Sequence, residues 1–321
     1  MEVVPHPAWR VMRGPLGGAV PQGVMMSAKY YEHYEDVYEA ALAAGVDRYN
    51  NPPEANFGDL FIHSLLPSSG RVLDLGCGEG LYSLLFAAEG YEIVGIDISS
   101  SAVKWARRRA TEQRLTNAHF RVGDVTRLGD FASEQFDVVL NVHCYHCLSD
   151  TSDRIAHLQE AWRVLMPGGV LVFDNMAAPR EEDMPQFRAW HAERHGQVEE
   201  DETGVTTTID ATPPFSTHRL AGSEPVEFEI ATAVAMAHRF YSRLEHVLDQ
   251  LNEVGFEILA AEVRAPDPSR ISEMPFIHGD NVIYARKLTS AASAPPNHGL
   301  HPTALTRVVA VAKRALRLVL H

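Results

Sequence analysis

Short apolar runs alternate with longer amphipathic stretches through the middle of the chain. Arg71-Val-Leu-Asp-Leu75 reads as a strand that runs into three glycines at alternate positions, Gly76, Gly78 and Gly80. A helical run follows over residues 81–89. Residues 91–96 read as a second strand ending on Asp97, and residues 118–122 as a third, followed by Gly123-Asp-Val125. Residues 136–140 read as a fourth strand ending at Asn141, and residues 169–173 as a fifth, after the turn Met166-Pro-Gly-Gly169. Helical stretches at 100–115 and 153–165 lie between them. Strands that alternate with helices imply parallel βαβ units. An acid or amide (Asp74, Asp97, Asp124, Asn141) therefore sits at the carboxyl end of four consecutive strands, on one edge of one sheet. That edge is where open α/β sheets bind ligands.

Beyond the fifth strand the alternation breaks. Residues 181–202 are rich in charge, and 205–210 and 226–230 alternate as half-buried strands do. An insertion over 177–240 is expected to stand over the ligand edge as a cap that helps to choose the ligand. The pattern then resumes with a helix at 242–254, closed by Gly255, and strands at 256–263 and 281–287. Upstream, residues 27–44 read as a helix with Tyr30, Tyr34 and Tyr38 on one face at i, i+4 spacing. That face either packs on the core or lends a ring to the site. Residues 1–24 are a Pro/Gly-rich lead-in without period. From 289 an Ala/Pro/Ser-rich linker precedes a short run with Arg307, Lys313, Arg314 and Arg317 on one arc, as in a basic amphipathic helix. The expected division is a lead-in over 1–24, one α/β domain over 25–288 with the cap at 177–240, and a tail over 289–321.

The set Asp74-Leu-Gly-Cys-Gly-Glu-Gly80, Gly95-Ile-Asp97, Gly123-Asp-Val125, Phe136-Asp-Val-Val139 and Arg163-Val-Leu-Met-Pro-Gly-Gly169 resembles the class I S-adenosylmethionine-dependent methyltransferases. The resemblance spans residues 55–288. It implies a Rossmann-like, doubly wound α/β fold whose seven-stranded sheet is mostly parallel, with the last strand inserted antiparallel between its neighbours. It also implies S-adenosylmethionine as cofactor. Gly76, Cys77, Gly78 and Gly80 then run past the methionyl part, and Asp74 supports the turn and the cofactor's amino group. Asp97 accepts from both ribose hydroxyls, as a carboxylate can. Asp124 accepts from the adenine amino group, with the Val125 N–H facing a ring nitrogen. Ile98 and Asn141 complete the cofactor-contacting set.

A nicotinamide dehydrogenase is the rival in this fold class. Its Gly-x-Gly-x-x-Gly fingerprint needs a small residue where Leu81 stands, because the third glycine here comes one residue early, at Gly80. A dinucleotide also needs a pyrophosphate seat at a helix N-terminus. Adenosylmethionine has no phosphate and is cationic at sulfur, so acids near the turn are tolerated.

Chemistry is expected just after the fourth strand, in Asn141-Val-His-Cys-Tyr-His-Cys147. Methyl transfer is an in-line displacement at an activated sulfonium, so near-attack geometry is the main requirement. A base is needed only where the acceptor's proton must leave early. His143 and His146 are the candidates, since imidazole titrates near neutrality, and Tyr145 or Asn141 could orient the acceptor. The cap could also bring His238 close. Cys144 and Cys147 have C-x-x-C spacing, but a structural zinc site needs four ligands and Cys77 is the only other cysteine, so no metal is expected. The Asn-Pro-Pro-Tyr pattern of exocyclic- or amide-nitrogen methylation is absent.

Composition narrows the acceptor. A formal net charge of −14 over 321 residues disfavours nucleic acid, whose phosphates need basic surface. Three cysteines outside any disulfide-like framework fit a reducing compartment, and no stretch approaches the ~20 apolar residues of a membrane span. The expectation is a cytoplasmic enzyme with a small-molecule O, N or C acceptor. A non-catalytic cofactor-binding regulator or partner subunit of the same fold is the second possibility.

Overall fold

A computed structural model describes residues 34–35, 38–39, 63–193, 196–209, 215–218, 226–229, 239–265 and 279–288. The lead-in 1–24, the tail 289–321, Tyr30 and His238 lie outside these residues. The elements run β1 (Arg71–Leu75), α1 (Leu81–Ala88), β2 (Glu92–Asp97), α2 (Ser100–Glu112), β3 (Ala118–Val122) and β4 (Phe136–Val142). They continue with α3 (Thr151–Val164), β5 (Leu165–Met176), α4 (Met184–Ala192), β6 (Gly196–Glu200) and β7 (Gly204–Ile209). The rest are β8 (Phe215–His218), β9 (Val226–Glu229), β10 (Arg239–Ser242), α5 (Leu244–Val254), β11 (Phe256–Arg264) and β12 (Asp280–Lys287).

Seven strands form one sheet in the order β11-β12-β5-β4-β1-β2-β3. Its strands are apolar on both faces because helices cover both. In β4, Phe136 and Val139 pack with Leu158 and Ala161 of α3 and Val247 and Leu251 of α5. Val138, Leu140 and Val142 point the other way, into a cluster with Phe86 of α1 and Val103 and Ala106 of α2. Phe86, Phe136 and Leu140 are fully buried, and each such side chain contributes about 1.5–3 kcal/mol relative to exposure.

Two topological features place the site. First, β1 pairs in parallel with both β2 and β4, so the strand order reverses beside it. The crevice beyond the carboxyl ends of β1 and β4 is thus the ligand position of an open sheet. Second, β12 is antiparallel to both its neighbours, with Asp280 opposite Met176 at the end of β5. The amino end of β12 therefore lands on the edge where the other strands finish.

Elements differ from the sequence pattern where pairing extends or replaces them. β5 runs from Leu165 to Met176 rather than 169–173, because β4 pairs with it from Leu165 and β12 out to Met176. Ser242 belongs to β10, so α5 starts at Leu244. Residues 181–202, read as a charged stretch, hold α4 and β6. The apolar stripe Met184, Phe187 and Trp190 has helical spacing and packs against Val205 and Tyr241, while most of the charges face solvent. β10, β7 and β6 form a three-stranded antiparallel sheet, and β8 and β9 a two-stranded one. β10 is stitched to the main sheet: Asn281 Nδ2 donates to Ser242 O at 2.8 Å and Ala178 N to the same carbonyl at 2.9 Å. No described helix is long and apolar enough to cross a membrane.

Candidate cofactor and acceptor site

The turn after β1 is built around backbone amides. Gly76 N and Cys77 N donate to Ile96 O at 2.8 and 2.9 Å, and Gly78 N donates to Asp97 Oδ2 at 2.8 Å. Gly76 has φ 71°, and a Cβ there would lie 2.5 Å from Cys144 Sγ and 2.7 Å from Cys144 Cβ. The turn thus packs directly on the segment after β4. Gly76→Ala is expected to cost about 2–4 kcal/mol, from the left-handed backbone and the clash together. Urea denaturation of the variant beside the unaltered chain checks it, and an unchanged midpoint would contradict this packing. Burial pushes the Cys77 thiol well above its ordinary range, so it stays protonated and unreactive.

Three acids stand at or just past the carboxyl ends of β1, β2 and β3. Asp97 holds the turn with Oδ2 and the start of α2 with Oδ1, which accepts from Ser99 N at 2.9 Å. A carboxylate offers about four acceptor sites, so one group can serve several donors at once. Asp124 accepts from Thr126 N and Oγ1, both at Oδ1, at 2.8 and 2.7 Å. Asp74 is buried and accepts from Ser83 Oγ of α1 at 2.6 Å. Burial, with Asp97 adding, raises Asp74 from near 3.8 to about 6. Its folded form therefore binds a proton more tightly than its unfolded form, and the cost of ionising it appears as pH rises from 4 to 6. Stability from this group is expected to fall by about 3 kcal/mol across that window and stay lower above it. Asp74→Asn should remove that part of the pH dependence. Urea midpoints of both chains at pH 4 and 7 test the sign.

Residues 34–35 and 38–39 are helical, within the expected 27–44 helix. The Glu35 carboxylate accepts from Ser99 Oγ, Ser100 Oγ, Ser101 Oγ and Ser101 N at 2.6, 2.8, 2.8 and 3.1 Å, at the N-terminus of α2. Tyr34 OH lies 3.1 Å from Cys147 Sγ, on the segment after β4. These two residues join the lips of the crevice. Tyr38 instead is buried, as a packing face requires.

Beyond β4 the four candidate catalytic residues separate. Tyr145 is fully buried and donates its hydroxyl to Gln250 Oε1 of α5 at 2.5 Å, which places it in the core rather than against an acceptor. Asn141 is also fully buried, its Oδ1 accepting from Tyr145 N at 3.1 Å and its Nδ2 lying 2.7 Å from His157 Nε2. His146 is buried, with Nδ1 3.3 Å from Asn175 Oδ1. Burial, with the charge of Arg239 adding, holds it down to about 3, so it is neutral at physiological pH. His143 alone is partly exposed, with 27% side-chain exposure. It has φ 55°, uncommon for a non-glycine residue, while its N–H donates to Asp174 O at 2.7 Å. Its Nε2 is 4.0 Å from Asp280 Oδ1.

Asp174, Asn175, Asp280, Arg264, Glu35 and His157 did not emerge from the sequence. Asp174 and Asn175 had a usable signal, since they repeat the rule of an acid or amide at a strand's carboxyl end. His143, Asp174 and Asp280 offer ligand atoms within 4.8 Å of one another, a nitrogen and oxygen set that suits a divalent cation. Arg264 already supplies positive charge there, pairing with Asp174 Oδ2 and lying 3.7 Å from Asp280 Oδ2.

With this geometry in view, residues 73–173 match the family described as "Methyltransferase domain". Residues 73–173 therefore carry a methyltransferase domain, in keeping with the resemblance to the class I S-adenosylmethionine-dependent methyltransferases. It is 34% identical over 119 residues to a 2-heptyl-1-hydroxyquinolin-4(1H)-one methyltransferase of Mycobacteroides abscessus, covering 36% of this chain and 52% of that one. It is 34% identical over 123 residues to a malonyl-[acyl-carrier protein] O-methyltransferase of Enterobacter lignolyticus, covering 38% and 44%. The chain thus spans about half the length of the curated relatives it matches. A solved methyltransferase of Methanosarcina mazei shares the fold, with TM-score 0.52, 21% identity, and coverage of 71% of this chain and 97% of that one. The sheet order with an antiparallel β12 is that of the methyltransferase superfamily as read from the sequence.

The residues present fit the superfamily's cofactor. Left-handed glycines let backbone approach a ligand without a Cβ in the way. Asp74 is a buried carboxylate that a cationic amino group would favour in its ionised form. Asp97 and Asp124 stand at the next strand ends.

Proposed function

We propose that the chain is an S-adenosylmethionine-dependent methyltransferase with a small, polar acceptor, and that residues 177–240 work as its cap. The observation that supports this reading is that Asp74, Asp97 and Asp124 stand at or just past the ends of β1, β2 and β3, with His143 just past the end of the neighbouring β4. When bound, the cofactor supplies a methyl group on an already activated sulfonium. The chain's part is to bind, orient and take up a proton. Asp97 would accept from the ribose hydroxyls, and Asp124 and Val125 would hold adenine. Asp74 pairs with the amino group.

His143 is the base among the four candidates, because it is partly exposed and lies near Asp280, which stabilises the imidazolium that forms when it takes the acceptor's proton. His146, neutral and spending Nδ1–H on Asn175, keeps its lone pair on Nε2 and serves better to orient an acceptor donor. The charged set His143, Asp174, Arg264 and Asp280 favours an acceptor with polar groups near the reacting atom. Protonated, buried thiols at Cys77 and Cys144 suit a reducing, cytoplasmic setting.

Calorimetric titration with adenosylmethionine, with NAD as control, tests the cofactor. Micromolar binding of the first and none of the second is expected. Binding of NAD alone would replace this reading with that of an oxidoreductase.

A further inference from the structure

We propose that His157 of α3 is a positioning residue, a single neutral imidazole that holds the adenine-facing loop and the acceptor-facing turn in register. The inference rests on the cofactor reading above. His157 is fully buried and bridges two loops: Nε2 lies 2.7 Å from Asn141 Nδ2, and Nδ1 lies 3.2 Å from Val125 O.

Donors and acceptors set the direction of each link. Asn141 Oδ1 accepts from Tyr145 N at 3.1 Å and from Asn175 Nδ2 at 3.2 Å. The oxygen of the Asn141 amide is therefore engaged on that side, and its Nδ2 is the atom that faces His157. An amide nitrogen only donates, so Nε2 of His157 is the unprotonated nitrogen. The proton sits on Nδ1 and goes to the Val125 carbonyl. A charged ring would set Nε2–H against Asn141 N–H, donor to donor. Burial acts in the same sense and holds His157 down to about 4.

The run continues past Asn141. Asn175 Nδ2 also donates to Asn141 O at 2.9 Å, and Asn175 Oδ1 accepts from His146 N and Nδ1, both at 3.3 Å. One arrangement of protons thus spans the loop after β3, α3, the ends of β4 and β5, and the turn that carries His146. Val125, whose N–H faces adenine in the proposed site, is held through its own carbonyl by the ring that also sets Asn141. Adenine binding and acceptor geometry share this tie.

Glutamine carries one donor and one acceptor at a comparable reach, whereas leucine carries neither. His157→Leu is expected to weaken adenosylmethionine binding about tenfold, the loss of about one net hydrogen bond. His157→Gln should recover it to within about threefold. Both variants disturb core packing, so a lower melting temperature in each is not diagnostic, and recovery by glutamine alone is. In the unaltered chain, imidazole 15N shifts of His157 should report a protonated Nδ1 and bare Nε2 from pH 6 to 8, with no variant required. A leucine variant that binds like the unaltered chain, a glutamine variant as weak as leucine, or the opposite tautomer would overturn the inference while leaving the cofactor reading standing. No binding by the unaltered chain would overturn both.

Discussion

Asp97→Ala is expected to weaken adenosylmethionine binding by about 10²–10³-fold. Hydrogen bonds to a charged group are each worth about 1.5–3 kcal/mol. Asp97 makes two to the backbone, from Gly78 N at 2.8 Å and Ser99 N at 2.9 Å. In the proposed site it also accepts from the ribose hydroxyls. Truncation removes the ribose contact and also frees the glycine turn from the start of α2, so part of the loss is lost pre-organisation. About 3–4 kcal/mol converts to the stated range. Asp97→Asn keeps one acceptor oxygen and should fall between. Calorimetry on both variants, with circular dichroism to establish folding, measures the effect. A folded Asp97→Ala chain with a Kd within threefold of the unaltered one would remove the crevice from consideration as the cofactor site.

His143→Asn is the second large effect. Asparagine tolerates the left-handed backbone that His143 adopts at φ 55°, so the variant removes the proposed base and not the fold. The backbone bond from this residue to Asp174 O, at 2.7 Å, is retained. Turnover of any acceptor that the unaltered chain methylates should fall by about 10²–10⁴-fold, the usual worth of a positioned base. The Kd for adenosylmethionine should stay within about twofold, since the proposed site gives His143 to the acceptor and not to the cofactor. A loss in kcat with binding kept separates an enzyme from a cofactor-binding regulator. An unchanged kcat would mean that the acceptor loses its proton without His143, and that the residue only shapes the turn.

Much of this site was legible because the chemistry lies next to the pattern that predicts the strands. Apolar runs in the sequence ended on the acid or amide that the structure places at that strand's carboxyl end, as with Ile96 into Asp97 and Leu140 into Asn141. Position at a strand end is a local property, read from residues that are neighbours in the chain. The seven-stranded sheet with a reversed last strand was expected only through the family resemblance that those motifs carry.

The charged 181–202 stretch hid a helix, because its apolar stripe at Met184 and Phe187 is sparse among exposed charges. The two histidines three residues apart were indistinguishable in sequence. Burial separates them: His146 lies inside against Asn175 and His143 outside toward Asp280. Tyr145, equally polar on paper, spends its hydroxyl on Gln250, 105 residues away.

The sequence by itself determined the succession of strands and helices, the glycine turn and the acids at the strand ends, since all of these follow from short-range periodicity, while the seven-stranded sheet was what the family resemblance implied. Only the tertiary structure decided the rest. The reversal of β12 carries Asp280 to the edge where β4 and β5 finish, α3 sets His157 beneath two loops at once, and Glu35 reaches the serines of α2. Those partners are remote in the chain, and the ionisation of each group depends on how much water and opposing charge packing leaves beside it.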